Sequence, residues 1–270
     1  MVDRTTVVTA FYPLARSKHG VARYHTWIQN FCRLNCQLVV YTDDSQKNMF
    51  ATLCPKAMVV VRPFDSWQMT SPAMMDFWRR QTPRDPERTI HSPELYAVWA
   101  IKQECIMETI RTNPYGSDWF VWCDVGILRE PAHLDWYAQF PQKVPDLCLP
   151  GRIGMLEVAL IPDRFVEAWR TMTAVCPLPL PAVTVGGGCI AGDKVAWQDF
   201  SEAYVKMLQL FDERGWFAGK DQLIYFAMLI ERAVASPFRL FAASGPVDPW
   251  MSFPAILSGS IRARVDRRFN

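Results

Sequence analysis

Ser117-Asp-Trp-Phe-Val-Trp-Cys-Asp124-Val-Gly126 carries five strand-forming residues that end on a carboxylate, with glycine two positions later. Aromatic and β-branched side chains in an unbroken apolar run read as a buried strand. In an open α/β sheet, ligands gather outside the carboxyl ends of the strands. Asp124 therefore stands where a metal or a diphosphate would be held. The plainer alternative is a turn, since Asp and Gly are ordinary turn residues.

Outward from this stretch, Val7-Val-Thr-Ala-Phe-Tyr12, Gln37-Leu-Val-Val-Tyr-Thr42 and Ala57-Met-Val-Val-Val61 read as three further strands. Val21, Tyr24, Trp27, Ile28 and Phe31 recur at helical spacing between the first two, which argues for βαβ units and a mainly parallel sheet. Residues 64–91, with Pro83, Pro86 and several arginines, read as an irregular excursion. Ser92-Pro93 opens a helix, a capping residue followed by proline at the first helical position, and that helix is predicted to run to about Arg111. Beyond the Asp124 strand, 156–161 reads as a strand and 164–172 as a helix. Residues 177–181 read as a Pro-rich link, Gly186-Gly-Gly188 as a flexible elbow, and Cys189-Ile-Ala191 as a short strand. Helices over 197–213 and 221–233 follow. One domain over 1–270 fits this pattern.

With 270 residues, half of them hydrophobic, the chain has enough apolar surface for a full core. A net charge of +2 is too small to point to nucleic acid or an anionic membrane. No uncharged apolar stretch reaches the roughly 18 residues of a membrane span, and the N-terminal residues lack a signal-peptide core. Of eight cysteines, Cys105, Cys123, Cys148 and Cys189 sit in apolar runs as small buried hydrophobes. Cys32 and Cys36 have the spacing of half a zinc site with no second half. A reducing, cytoplasmic setting is the resulting expectation.

Lys102 is the most telling single residue. On the helix from Leu95, a stripe of Val98, Trp99, Cys105, Ile106, Thr109 and Ile110 has Lys102 in its middle at about 100° per residue. A core-facing lysine needs a partner; it either faces Asp124 or a phosphate near the strand ends, or snorkels to the surface, or salt-bridges a buried carboxylate in a purely structural role. Gly186-Gly187-Gly188 with Gly192 lacks the Gly-Lys-Ser/Thr of a phosphate loop and instead allows close backbone approach to a ligand or another segment. Asp221 in Gly219-Lys220-Asp221-Gln222 is a helix cap, or a carboxylate that orients a sugar or acts as a base. His19, His25, His91 and His133 form no spaced cluster, and no nucleophile elbow is present. The basic run 261–270 is a solvated tail or a clamp on an anionic substrate.

Several segments, in order, resemble the HtrL/YibB-like family, which belongs with nucleotide-sugar glycosyltransferases of the GT-A type. They are Thr9-Ala-Phe-Tyr12 with Arg16 and Lys18, Tyr24-His-Thr-Trp27, Leu38-Val-Val-Tyr-Thr-Asp43, and Leu95-Tyr-Ala-Val-Trp-Ala-Ile-Lys102. Phe120-Val-Trp-Cys-Asp-Val-Gly126 with Arg129, Gly187-Gly188 with Gly192, and Gly219-Lys-Asp-Gln222 complete the set. The resemblance implies a GT-A-like α/β fold, with 1–126 as the donor half and 127–270 as the acceptor half. It implies sugar transfer from a nucleotide-diphosphate donor, such as a UDP-sugar, to a glycan or other acceptor. Thr9, Ala10, Phe11 and Tyr12 would hold the nucleotide, and Asp43 the base or ribose. Arg16, Lys18, Lys102, Gly187 and Gly188 complete the donor site. Asp124 would bind Mn²⁺ or Mg²⁺ in the place of an Asp-x-Asp motif, and Asp221 would join it as a catalytic carboxylate.

The chain departs from that motif at its second position, Gly126, and no histidine beyond His133 supplies a late ligand. Either the ion is held loosely, or Lys102 and the C-terminal arginines share the leaving-group charge. A nucleotide-sugar or carbohydrate-binding module without turnover is the alternative. A nucleotidyltransferase is disfavoured because no Gly-rich basic loop follows the first strand.

Overall fold

The apolar runs around residues 117–126 pair into one eight-stranded sheet in a computed structural model that describes residues 4–16, 19–171, 183–231, 238–243 and 248–269. The strands are β1 (Thr5–Phe11), β2 (Gln37–Thr42), β3 (Met58–Val61), β4 (Trp119–Cys123), β5 (Ile153–Glu157), β6 (Val185–Asp193), β7 (Phe238–Ala243) and β8 (Ala263–Asp266). They lie in the order β3-β2-β1-β4-β6-β5-β7-β8. The expected α/β sheet flanked by helices is what the chain forms. Its first four strands are all parallel. From β4 onward the sheet is mixed, with β4/β6, β6/β5 and β7/β8 antiparallel and β5/β7 parallel.

Helices α1 (Val21–Phe31), α2 (Lys47–Leu53), α3 (Pro72–Gln81), α4 (Pro93–Ala100), α5 (Lys102–Thr112), α6 (Val144–Leu147), α7 (Asp163–Arg170), α8 (Lys194–Glu213), α9 (Asp221–Ile230) and α10 (Phe253–Ser258) cover the sheet. Alternate strand residues face opposite sides. Val8, Val39, Phe120 and Trp122 pack with Ile106, Trp197, Phe200 and Tyr225 of α5, α8 and α9. Val7, Val40, Val121 and Cys123 pack with Ile28, Phe31 and Ile256 of α1 and α10. None of the described helices is long and apolar enough to cross a membrane.

Several elements differ from the sequence reading. The predicted helix over 93–111 breaks at Ile101, so Lys102 opens α5 rather than sitting inside a single helix. The excursion at 64–91 contains α3, whose cap Ser71 accepts from the Met74 amide and is followed by Pro72. Gly186–Gly188 are no elbow; they lie within the nine-residue β6. The strand expected at 156–161 lies earlier, as β5, and the basic tail supplies β8. Cys32 is joined to Cys54 in a disulfide, which removes it from any zinc site. Cys105, Cys123, Cys148 and Cys189 are free and buried, and Cys36 is free and half-buried. The Pro-rich link at 177–181 lies outside the described residues.

Candidate functional site

β6 runs back along β4 with Cys189 opposite Cys123. This pairing brings the glycines of β6 to the carboxyl end of β4, where the Asp124 amide donates to the Gly188 carbonyl at 2.7 Å. Asp124 is thereby fixed in backbone as well as side chain. Its Oδ1 accepts from Trp122 Nε1 at 2.6 Å and lies 3.2 Å from Lys102 Nζ. The side chain is still 39% exposed, so one face of the carboxylate is open.

Lys102 does not snorkel. Its side chain is 3% exposed, and Nζ donates to Asp221 Oδ2 at 2.8 Å and to the Gly187 carbonyl at 2.9 Å, with Asp124 as its third neighbour. Three N–H groups meet three acceptors. Burial pulls the ammonium pKa down, but the two carboxylates outweigh it and hold the group above the usual lysine value. Burial also pushes the Asp124 carboxyl above the usual aspartate value, against the opposing pull of Lys102. One ammonium between two carboxylates leaves the cluster at net −1.

Asp124 and Lys102 open onto a cavity of about 320 Å³ whose walls include Tyr24, Trp27, Trp99, Trp122 and Trp250. Leu95, Val98 and Trp99 of α4 and Lys102 at the start of α5 all line it, and Ser92 Oγ caps α4 by accepting from the Leu95 amide at 3.3 Å. Of the residues expected at the donor site, Ala10, Phe11, Tyr12, Lys102, Asp124 and Gly188 line this cavity. Tyr12 is also tied into the fold, donating to the Arg62 carbonyl and accepting from Trp67 Nε1, both at 2.9 Å.

The others lie elsewhere. Thr9 is fully buried and off the cavity wall, further from the carboxyl end of β1 than Ala10, Phe11 and Tyr12. Arg16 donates to the backbone carbonyls of Arg88 and Thr89. Asp43 accepts from Ser45 Oγ beyond the cavity. Gly187 lies behind Lys102, where a Cβ would stand 2.8 Å from Asp221 Oδ2. Lys18 lies outside the described residues. Asp221 is 4% exposed, with Oδ1 accepting from the Gln222 amide at 2.8 Å. It is the first residue of α9, one past the N-cap position held by Lys220, and this bond takes up one amide of the first turn. It lies behind Lys102 and is not among the residues of the cavity wall. The C-terminal arginines do not reach the cavity either: Arg268 pairs with Asp266, Glu157 and Asp163.

A divalent ion of this kind needs several oxygen ligands. Among the described residues no group of three or more His, Cys, Asp or Glu converges, and the ammonium of Lys102 already fills the space between Asp124 and Asp221. These residues do not fit a protein-built Mn²⁺ or Mg²⁺ centre.

Two features of the cavity have no short motif in the sequence. His91, which lines it, shares its Nδ1 with Asp85 Oδ2 at 2.9 Å. Asp85, 1% exposed, also accepts from the Tyr96 hydroxyl at 2.5 Å and the Glu87 amide at 2.7 Å. Burial and the bond to Asp85 push the Tyr96 hydroxyl pKa up, so it stays a donor. With Nδ1 committed, Nε2 is the ring nitrogen left for a ligand. The second feature is Arg129, whose guanidinium lies 4.7 Å over the Trp27 ring. The six-residue gap between Asp85 and His91 matches no catalytic pattern. The Arg129 arrangement shows only as an aromatic and a cation about a hundred positions apart.

No protein-family model matches the chain, and no curated protein matches it. Among solved structures, that of mouse xyloside xylosyltransferase 1 in its apo form is similar, with a TM-score of 0.45 and 14% sequence identity over 88% of this chain and 85% of that chain. A likeness this loose supports no inference about activity.

Proposed function

We propose that the chain is a glycosyltransferase of the GT-A type, moving a sugar from a nucleotide-diphosphate donor to a hydroxyl of a glycan or other acceptor. The observation that carries the reading is Asp124. It is a half-open carboxylate at the carboxyl end of a central strand, held by Lys102 and Trp122 and facing an aromatic cavity. Flat rings on the cavity walls suit stacking with a base and with the apolar face of a sugar. A fixed carboxylate suits the positive charge that develops at an anomeric carbon during glycosyl transfer. The ordered resemblance to the HtrL/YibB-like family agrees with this assignment.

In this reading Asp221 acts through Lys102 as a positioning residue, and the role of base passes from it to His91. Asp85 orients the imidazole, so that Nε2 takes the proton of the acceptor hydroxyl as its oxygen bonds to the anomeric carbon and the bond from that carbon to the departing diphosphate breaks. No step is assigned to a metal ion, because the donor set does not fit one.

Release of free nucleoside diphosphate from a panel of nucleotide sugars, with and without acceptor, tests the reading. Turnover that disappears in Asp124→Asn sustains it. Nucleotide binding without release or transfer would make the chain a binding module, and no binding of any nucleotide would remove the reading altogether.

A further inference from the structure

We infer that Arg129, shelved on Trp27 beside Gly126, is the cation that binds the diphosphate in this cavity, and that diphosphate binding therefore requires no divalent metal. The inference rests on the nucleotide-sugar reading for its ligand class and on separate geometry for its residue. A diphosphate carries two or three negative charges, and the Lys102–Asp124–Asp221 cluster meets it with net −1. Lys102 has no donor to spare, since its three N–H groups face Asp221, Gly187 and Asp124. That end of the cavity repels the anion, so the compensating charge must come from elsewhere on the wall.

Arg129 is an exposed cation on the cavity wall and is held in a defined orientation. Its Nε donates to the Gly126 carbonyl at 3.2 Å. Its plane rests on Trp27, which is itself buttressed by His19 at 4.9 Å and Tyr24 at 5.2 Å between ring centroids. Neither Nη makes a hydrogen bond or ion pair among the described residues, so both point of the guanidinium fork remain for a phosphate, the geometry in which arginine binds oxyanions bidentately. Stacking also lowers the entropy lost on binding.

Gly126 gives the second line of support. A Cβ there would lie 3.1 Å from Trp27 Cε3, and Trp27 is a buried ring. The space that a second carboxylate would need is occupied by the ring that carries the cation. Where a pair of carboxylates would recruit a dication to meet phosphate, this chain supplies a cation of its own.

Calorimetric titration of the full chain with inorganic pyrophosphate, UDP and GDP, each in EDTA and in Mn²⁺, tests the inference. Pyrophosphate and at least one nucleotide are expected to bind in EDTA. Arg129→Gln is expected to weaken both by about tenfold or more, because a charge-assisted bidentate contact is lost. Arg129→Lys is expected to recover part of the loss, and both variants should unfold at the wild-type temperature. Binding that appears only with Mn²⁺, wild-type affinity in Arg129→Gln, or no pyrophosphate binding at all would each overturn it. Transfer that is unaffected by Arg129→Gln would sink the inference and leave the glycosyltransferase reading standing. Pyrophosphate held through Arg129, with no nucleotide bound and no sugar transferred, would do the reverse.

Discussion

Lys102 joins three separate parts of the chain through one nitrogen. Removing its charge leaves Asp124 and Asp221 facing one another without a counter-ion, and breaking a buried pair by deleting one partner costs about 3–5 kcal/mol. Lys102→Met is therefore expected to lower stability by that order in chemical denaturation, as well as to weaken donor use. An apolar replacement looks harmless on a helical stripe read alone, since the two carboxylates lie 22 and 119 positions away. That Lys102 is core-facing and near the strand ends was legible from its stripe; its second carboxylate was not. Asp124→Asn is expected to abolish turnover with the fold intact. Because burial raises the Asp124 carboxyl and the ionised form is the useful one, activity should fall on acidification at a pH above that of an ordinary aspartate, and a pH–rate profile checks this. His91→Asn is expected to cost about 10²-fold in kcat with nucleotide affinity kept; an unchanged kcat would remove His91 from the reaction. The histidine was invisible beforehand because its orienting carboxylate sits across a proline-containing turn, with no period to mark it.

At the level of elements, β6 shows why glycine runs mislead. Three consecutive glycines read as a turn from propensity, yet here they are strand residues whose missing side chains make room for the site. At Gly187 a Cβ would stand 2.8 Å from Asp221 Oδ2 and 3.1 Å from Tyr225 Cε2. Gly187→Ala should push Asp221 off Lys102 and destabilise the fold by about 1–3 kcal/mol, the usual cost of overpacking, measurable as a lowered unfolding temperature. The other half of the reading, that these glycines permit close approach of another segment, describes this contact. The Ser-Pro signal worked at 92–93 and would have worked at 71–72, where it opens α3 in the same way; nearby prolines and arginines hid it. The three N-terminal parallel strands were legible because each is a bounded apolar run, β2 to the residue. The sequence reading has no counterpart of β7, and β8 reads as a tail because its one arginine, Arg264, has its partner far away in the chain, at Glu157.

For the molecule as a whole, Arg268 ties the last strand to the rest of the sheet. It donates to Asp266 Oδ2 at 2.7 Å, Glu157 Oε1 at 3.0 Å and the Ile161 carbonyl at 2.8 Å. Burial would raise the Asp266 carboxyl, but the bonds from Arg268 outweigh it and hold that group below the usual aspartate value. A depressed folded value means that this contribution is complete above the ordinary aspartate range and is lost as pH falls through the folded pKa. Arg268→Ala, which takes the bonded cation from buried Asp266 and leaves Glu157 only the more distant Arg264, is expected to lower stability at neutral pH by about 3 kcal/mol and to flatten that part of the acid dependence, as urea titrations at several pH values would show. The Cys32–Cys54 bond acts on a different region. Cys32 follows directly on α1, the helix whose Tyr24 and Trp27 form the aromatic wall of the cavity. Preparation history thus becomes a variable of any assay: chain made or stored with strong reductant is a different sample from oxidised chain, with an untethered wall. A negative substrate screen on reduced material would say nothing about the oxidised chain.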